Sequence, residues 1–544
     1  MRESLHMKGI PELKNTRKIV HSSLKFIQEK CSNNGAFDAL SLDDHQYAVY
    51  TLALSFSELE AAKSFAEYAK SSSDFEKCLA SCFIAEVVHS INTRLLSSPK
   101  DFGAGDWSLA TTSFVSEQLS SDNLSKIGKE IIAKNGHIEA MDLTDNQKLI
   151  KRTFGQFADE VVAPIAQDIH RFNMSIPEKV LKEVGGLGCF GLSIPQRYGG
   201  LLRDDNEDSL GMILVTEELS RVSLGGAGSL ITRPEIVARA LLMGGTEQQK
   251  RYWLPKIASG EKLCAIAITE PDYGSDVASV QLKATPVSKG WILNGSKTWS
   301  TFAGRAHVLL TLARTESDKS LGHKGLSLFI VEKPSFIDED FEVKQSSGGC
   351  LSGKAIPTVG YRGMHSYQLF FDDFFIPETN IIGEKEGAGK GFYFTMRGFT
   401  GGRIQTAARA CGLIQASLNK AIQYTKSREV FSKPVADYQL TQVKLARIAI
   451  YLFAARRFTY AVGRLLDKGE GQMEASLVKL FTCRASEWIT RDAMQMHGGM
   501  GYAEENDMSR YWLDARVLSI FEGTEETLAL KVIGRSLIER AGSI

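Results

Sequence analysis

A chain of 544 residues is too long for one core, and at roughly 150 residues per domain it holds three or four. Apolar residues make up 43% and charged residues 24%, the composition of a folded globular chain rather than a disordered or fibrous one. The 64 Lys and Arg balance the 64 Asp and Glu, which leaves no basic field for a nucleic acid, and no run reaches the roughly 18 apolar residues that span a bilayer, so a cytoplasmic protein without nucleic-acid or membrane partners is expected.

In the first 140 residues, apolar positions recur at spacings of three and four and predict helices over 16–30, 42–70 and 75–96. The stretch 98–108 reads as a loop and 135–145 as a boundary. No chemistry is legible in this part, whose charges are spaced as solvated helix faces. From Leu143 to about Leu254 the helical pattern continues, with Thr144 as N-cap and Pro164, Pro177 and Pro195 as punctuation. Between Cys264 and Pro377 the period changes. CAIAIT, GWILNGSKTWST, HVLLTLAR, LSLFIVEK and YQLFFDDFFIP are short β runs separated by turns, as in a small barrel or sandwich. After Gly391, long amphipathic helices are predicted over 403–425, 439–468, 473–496 and 527–540. The fold class is therefore α+β and multidomain: a helical extension over 1–140, a helical domain over 141–262, a β domain over 263–388 and a helical bundle over 389–544.

The eight cysteines include no CxxC pair and read as reduced, buried thiols, and the ten histidines form no HExxH or zinc-finger spacing, so no metal is expected. A formal dinucleotide fingerprint at Gly186, Gly188 and Gly191 follows the helical PEKVLKEV rather than a strand, and is rejected. No GxSxG elbow and no GxxxxGK[ST] loop is present.

Five other segments offer chemistry. Thr269-Glu270-Pro271-Asp272-Tyr273-Gly274-Ser275-Asp276 makes a tight turn that can aim backbone N–H groups and hydroxyls at an anion. In KTWST, Trp299 offers a flat ring and Thr301 a hydroxyl two positions on, on the same side of an extended strand. Arg428-Glu429-Val430-Phe431 lies between helices, Gln495-Met496-His497-Gly498-Gly499 ends one, and Phe521-Glu522-Gly523-Thr524 places a carboxylate between an aromatic ring and a glycine. In this order and at these spacings the five resemble the flavin-dependent acyl-CoA dehydrogenase family, over about 143–540.

That resemblance implies a helical domain, a central β barrel or sandwich and a C-terminal four-helix bundle, behind an extra helical N-terminal domain. It implies FAD, an acyl-CoA substrate, an electron-transferring flavoprotein as acceptor, and at least a homodimer. Glu522 matches the base that takes the α-proton; the position before Arg403, which supplies the base in some relatives, is Gly402. Ile266, Ala267, Ile268 and Thr269 match residues that touch the flavin, Trp299, Ser300 and Thr301 its N5 region, and Gly274 and Ser275 the FAD phosphate and the substrate pantetheine. Arg428, Phe431, Tyr438 and Gln439, with Gln495, Met496, His497, Gly498 and Gly499, match positions that hold the FAD pyrophosphate and adenosine across a subunit interface; Thr524 and Glu526 also match FAD contacts. Arg403 matches a CoA contact, and Gly523 lies beside the substrate. Thr400, Ser432 and Ser300 depart from the usual residues.

Proton abstraction next to a thioester needs a carboxylate in a dry site and fixed donors for the enolate oxygen. Here the resemblance supplies the backbone N–H of Glu522 and a ribityl hydroxyl as those donors. A dicarboxylic substrate would add a second carboxylate, which a buried pocket has to pair with a cation. Arg233 is the first candidate, followed by Arg362 and His365. The alternatives are a dehydrogenase of another short or branched acyl-CoA and a non-catalytic flavin-binding scaffold. The extension is expected to cover surface that smaller relatives use for tetramer contacts.

Overall fold

The change of period after residue 263 marks an eight-stranded sheet in the computed structural model, which describes residues 7–33, 36–103, 113–137, 142–337 and 339–542. Its strands are β1 Cys264–Ala267, β2 Lys283–Val287, β3 Gly290–Thr301, β4 Val308–Arg314, β5 Leu326–Glu332, β6 Asp340–Lys344, β7 Cys350–Ile356 and β8 Ser366–Pro377. They run in the order β1-β4-β2-β3-β8-β7-β6, with β5 paired to β4. β1 lies parallel to β4, β2 meets β4 in parallel at one residue pair, and the other pairings are antiparallel.

The sheet belongs to the unit Ile150–Gln405; the other unit is Met1–Leu149 with Thr406–Ile544. Strand β4 is apolar without alternation because both of its faces are covered. Val308, Leu310 and Leu312 face a core shared with Ile236, Leu241 and Trp253 of the helices Thr232–Gly244 and Glu247–Ala258. Leu309 and Ala313 face a second core with Phe329, Leu369 and Phe371.

In the other unit, the helices Gln46–Ala69 and Asp74–Leu96 are buried around most of their circumference, so they need neighbours on several sides. They find them in the C-terminal helices Gln439–Leu466 and Gln472–Met496. Phe83 meets Tyr451 at 5.3 Å and Phe481 at 5.6 Å between ring centroids, and Phe65 stacks on Phe453. Each such buried ring contributes roughly 1.5–3 kcal/mol, so the extension and the bundle share one core. At Gly128 a Cβ would come within 2.1 Å of the Gln442 carbonyl, which holds Ser121–Ala133 in backbone contact with the bundle.

Several boundaries differ from the sequence reading. The first helix begins at Ile10, with Pro11 in its first turn where a missing N–H costs nothing. The helix predicted from 403 begins at Gly391 and runs to Ser427. Thr144 does cap its helix, exchanging bonds with Gln147 at 3.0 and 3.3 Å. Of the predicted loop 98–108 and boundary 135–145, residues 104–108 and 138–141 lie outside the described residues. No helix among the described residues is long and apolar enough to cross a membrane, and none of their His, Cys, Asp and Glu form a group that could hold a metal.

Candidate active site

In the unit Ile150–Gln405 the turn after β1 is built around a buried ion pair. Glu270 accepts hydrogen bonds from the backbone N–H groups of Gln281 and Leu282, both at 2.7 Å, and from Lys297 Nζ at 2.9 Å. Lys297 is fully buried and also donates to the Ile268 carbonyl at 2.8 Å. Burial pushes its ammonium down to about 8, against the opposing pull of Glu270. The pair joins the TEP turn to the KTW strand, and Thr298 N–H donates to the Thr269 carbonyl at 2.9 Å beside it. Ala267 and Ile268 are buried, while Ile266 and Thr269 keep part of their surface open, and Gly274 and Ser275 are exposed.

The KTWST strand is not regularly extended. Tyr367 pairs with Ser300 and Leu369 with Lys297, so Thr298 and Trp299 oppose one residue, Gln368, in a β-bulge. Trp299 takes φ 55° and is 56% exposed, whereas Thr301 is buried and its hydroxyl shares a hydrogen with Ser366 at 2.9 Å. The expected same-side alternation of Trp299 and Thr301 fails at the bulge. Ser300 is fully buried, its hydroxyl without a hydrogen-bond partner.

Arg233 is 5% exposed. It donates to the Ser229 carbonyl at 2.9 Å and the Tyr361 hydroxyl at 3.0 Å, and it pairs with no carboxylate among the described residues. The Ser229 hydroxyl, fully buried one turn earlier, has no partner. Tyr361 sits at φ 58° in a segment pressed so closely on Gly225 that a Cβ there would be 2.2 Å from the Arg362 carbonyl. The other two candidate groups have local work: Arg362 donates to the Thr358 and His170 carbonyls at 3.1 and 2.8 Å, and His365 lies between Ser175 and Asn173 at 3.3 and 3.2 Å. Burial lowers the His365 pKa. Arg403 is half-buried, directly after the buried Gly401 and Gly402. Beyond Gly401 lies the Glu235 carboxylate, bonded to Arg239 at 2.8 Å and to Gln405.

In the other unit, Glu522 is half-buried at φ 55° and Gly523 follows at φ 93°. The turn is tied at several points. Lys479 Nζ donates to the Gly523 carbonyl at 2.5 Å, Glu525 N–H to the Ser519 carbonyl at 3.0 Å, and Thr524 caps the helix that follows. The Arg409 guanidinium lies 5.4 Å from the Phe521 ring centroid. Glu525 is bonded to both Arg484 and Tyr50, while Glu526 is exposed. Sequence reasoning singled out Glu522 but not Lys479, Arg484 or Tyr50, which bond to its turn.

Arg428 and Phe431 belong to a two-stranded hairpin whose tip, Phe431 and Ser432, is left-handed at φ 49° and 65°. Tyr438 pins it by donating to the Val430 carbonyl at 2.7 Å. Phe431 is 93% exposed, and Arg428 and Gln439 are also exposed. At the end of Gln472–Met496, Gln495, Gly498 and Gly499 face outward and Met496 is half-buried. His497 is buried, stacked 4.5 Å from Tyr424 and bonded through Nδ1 to the Ala493 carbonyl, and burial lowers its pKa.

In each unit, taken by itself, open glycine turns and exposed rings leave room for a flat or anionic group to approach. A Cβ on Gly498 or Gly499 would meet nothing within 4 Å, and one on Gly274 only Thr269 at 3.9 Å, which leaves room for close backbone approach. Trp299 and Phe431 present exposed rings and Arg428 an exposed cation.

Comparison with known proteins agrees. The N-terminal, middle and C-terminal domains of acyl-CoA dehydrogenase match residues 144–261, 265–374 and 389–538. The chain is 40% identical over 402 residues, 74% of it and 71% of the relative, to (2S)-methylsuccinyl-CoA dehydrogenase of Cereibacter sphaeroides. It is similar to butyryl-CoA dehydrogenase of Megasphaera elsdenii (TM-score 0.66, 31% identity, 73% and 100% of the two chains). It is also similar to a glutaryl-CoA dehydrogenase of Mycobacterium smegmatis solved with FADH2 (TM-score 0.63, 27% identity, 73% and 95%). The chain belongs to the acyl-CoA dehydrogenase family, FAD-dependent oxidoreductases that act on the CH–CH bonds of acyl-CoA thioesters.

Proposed function

We propose that this enzyme dehydrogenates (2S)-methylsuccinyl-CoA to mesaconyl-CoA, a step of the ethylmalonyl-CoA pathway, with Glu522 as the α-proton base. The observation that carries the substrate is Arg233: a buried guanidinium bonded only to neutral oxygens, with the unpartnered Ser229 hydroxyl one turn away. A buried charge without a counter-ion costs several kcal/mol, and a substrate carboxylate removes that cost. The Tyr361 hydroxyl, held by a left-handed backbone, fixes the fork's direction. The 40% identity to a methylsuccinyl-CoA enzyme supports the same substrate.

FAD, when bound, supplies the acceptor for the β-hydrogen as hydride. The protein supplies the rest. Glu522 takes the α-proton, and its own backbone N–H is a donor to the thioester oxygen as enolate charge develops. Ile266 to Thr269, Gly274, Ser275 and Trp299 to Thr301 hold the flavin end of the cofactor. Arg428, Phe431, Tyr438, Gln439 and Gln495 to Gly499 hold its pyrophosphate and adenosine from a second subunit, and Thr524 and Glu526 add contacts. Arg403 and Ser275 bind CoA. Phe431, a large apolar ring on a rigid hairpin tip, supports the homodimer. An electron-transferring flavoprotein reoxidises the enzyme.

The test is Arg233→Gln, assayed with (2S)-methylsuccinyl-CoA and butyryl-CoA. A lost charge pair worth 2–5 kcal/mol lowers kcat/KM for methylsuccinyl-CoA about a hundredfold, with butyryl-CoA nearly unaffected. Equal losses for both substrates would remove Arg233 from the carboxylate pocket.

A further inference from the structure

The residues before 144 lie outside every matched family segment, yet one of their helices reaches the turn that carries Glu522. Tyr50, on Gln46–Ala69, donates its hydroxyl to Glu525 Oε1. Arg484, on Gln472–Met496, donates to the same oxygen and to the Tyr50 hydroxyl, the latter at 3.0 Å. Three groups thus close a triangle three residues after Glu522. Burial and the bond to Glu525 push the Tyr50 phenol up to about 12, so it stays a donor at any working pH.

The rest of the same helix follows the chain beyond the turn. Asp43, just before the helix, pairs with Lys531 at 2.6 Å, and Val49 packs so tightly on Gly534 that a Cβ there would be 2.3 Å away. The segment Thr524–Glu526 also borders a cavity of about 560 Å³, together with Leu54 and Ser57 of the same helix, Tyr451 and Trp488. The triangle adds to the bonds from Lys479 and to Ser519 that tie the same turn. The backbone needs such support, because Glu522 is a non-glycine residue in the left-handed region followed by a left-handed glycine, a conformation that persists only when its surroundings over-determine it.

We infer that the N-terminal extension is a working part of the active site: Tyr50 with Arg484 clamps Glu525 and thereby positions Glu522 for proton abstraction. The inference rests on the reading of Glu522 as the base. Tyr50, Arg484 and Glu525 are positioning residues, acting through the turn. Small displacements of a reacting group cost one to two orders of magnitude in rate, so releasing one corner of the triangle reaches kcat before it reaches substrate binding.

The experiment uses the full-length holoenzyme, with turnover expressed per bound flavin. Tyr50→Phe lowers kcat about tenfold with KM unchanged, and in a Glu525→Ala background the same substitution has no further effect. Asp43→Asn, which cuts the neighbouring ion pair, leaves kcat as it was. Wild-type kcat in Tyr50→Phe overturns the inference, as do independent, multiplying effects of Tyr50→Phe and Glu525→Ala. Should Tyr50→Phe yield no holoenzyme, Arg484→Lys reads the same claim, and unchanged per-flavin kcat there overturns it. Glu522→Gln, measured alongside, separates the two readings: turnover retained in Glu522→Gln removes the base, whereas turnover lost there and intact in Tyr50→Phe removes only the clamp.

Discussion

Glu522 and Gly523 show how differently two adjacent residues meet the same geometric demand. Gly523 at φ 93° carries no Cβ; adding one would place it 3.0 Å from Leu528 Cδ2. Glu522 at φ 55° bears roughly 1–2 kcal/mol of backbone cost, offset by Lys479, Thr524 and the Glu525 anchor. Glu522 stood out in the sequence because its neighbours Phe521, Gly523 and Thr524 are contiguous with it. Tyr50 was not, since its partner lies 475 positions away, and neither was Lys479, 44 positions from the carbonyl it holds. Glu522→Gln keeps the volume and removes the proposed base, so kcat should fall about 10²–10⁴-fold. Thermal unfolding of the variant should match the parent, and a large loss of melting temperature would instead show that Glu522 is structural.

Among elements, the sheet was read well where apolar runs are long and poorly where its geometry departs from alternation. Strand β4 announces itself as a continuous apolar run, while β6, DFEVK, and β7, CLSGKAI, bury only alternate residues and present few apolar side chains. The bulge at Trp299 carries no local sequence mark, because it arises from pairing with β8, more than sixty residues later. The end of β5 makes a separate prediction. Lys333 is buried over the Phe341 ring at 4.4 Å and donates to the Gly304 and Pro334 carbonyls at 2.8 and 2.9 Å, with no carboxylate paired to it among the described residues. Burial pushes its ammonium down to about 7, from 10.5 in the unfolded chain. Between those values the unfolded chain binds more protons than the folded one, so this group makes stability rise as pH increases from about 7 toward 10.5. In Lys333→Met that rise should be absent when melting temperature is followed across this range; an identical pH profile in parent and variant would show that the lysine is solvated.

At the scale of the molecule, the helical character of residues 1–140 was legible from apolar spacing, but not where those helices bind. Their partners are the C-terminal helices, joined to them through Phe65, Phe83, Phe453 and Phe481 and through the Arg447–Glu86 ion pair at 2.9 Å. The proposed homodimer makes a prediction of its own: the full-length chain should run as a dimer in light scattering, and Phe431→Asp should shift it toward monomer with loss of flavin. A tetramer would contradict the view that the extension occupies surface used for further assembly. The central claim, that a buried cation selects a dicarboxylic thioester for Glu522 to deprotonate, is tested most directly by anaerobic titration of the enzyme's flavin absorbance. The account predicts that (2S)-methylsuccinyl-CoA bleaches the flavin at far lower concentration than butyryl-CoA does. Bleaching by butyryl-CoA, with none by methylsuccinyl-CoA, would contradict it.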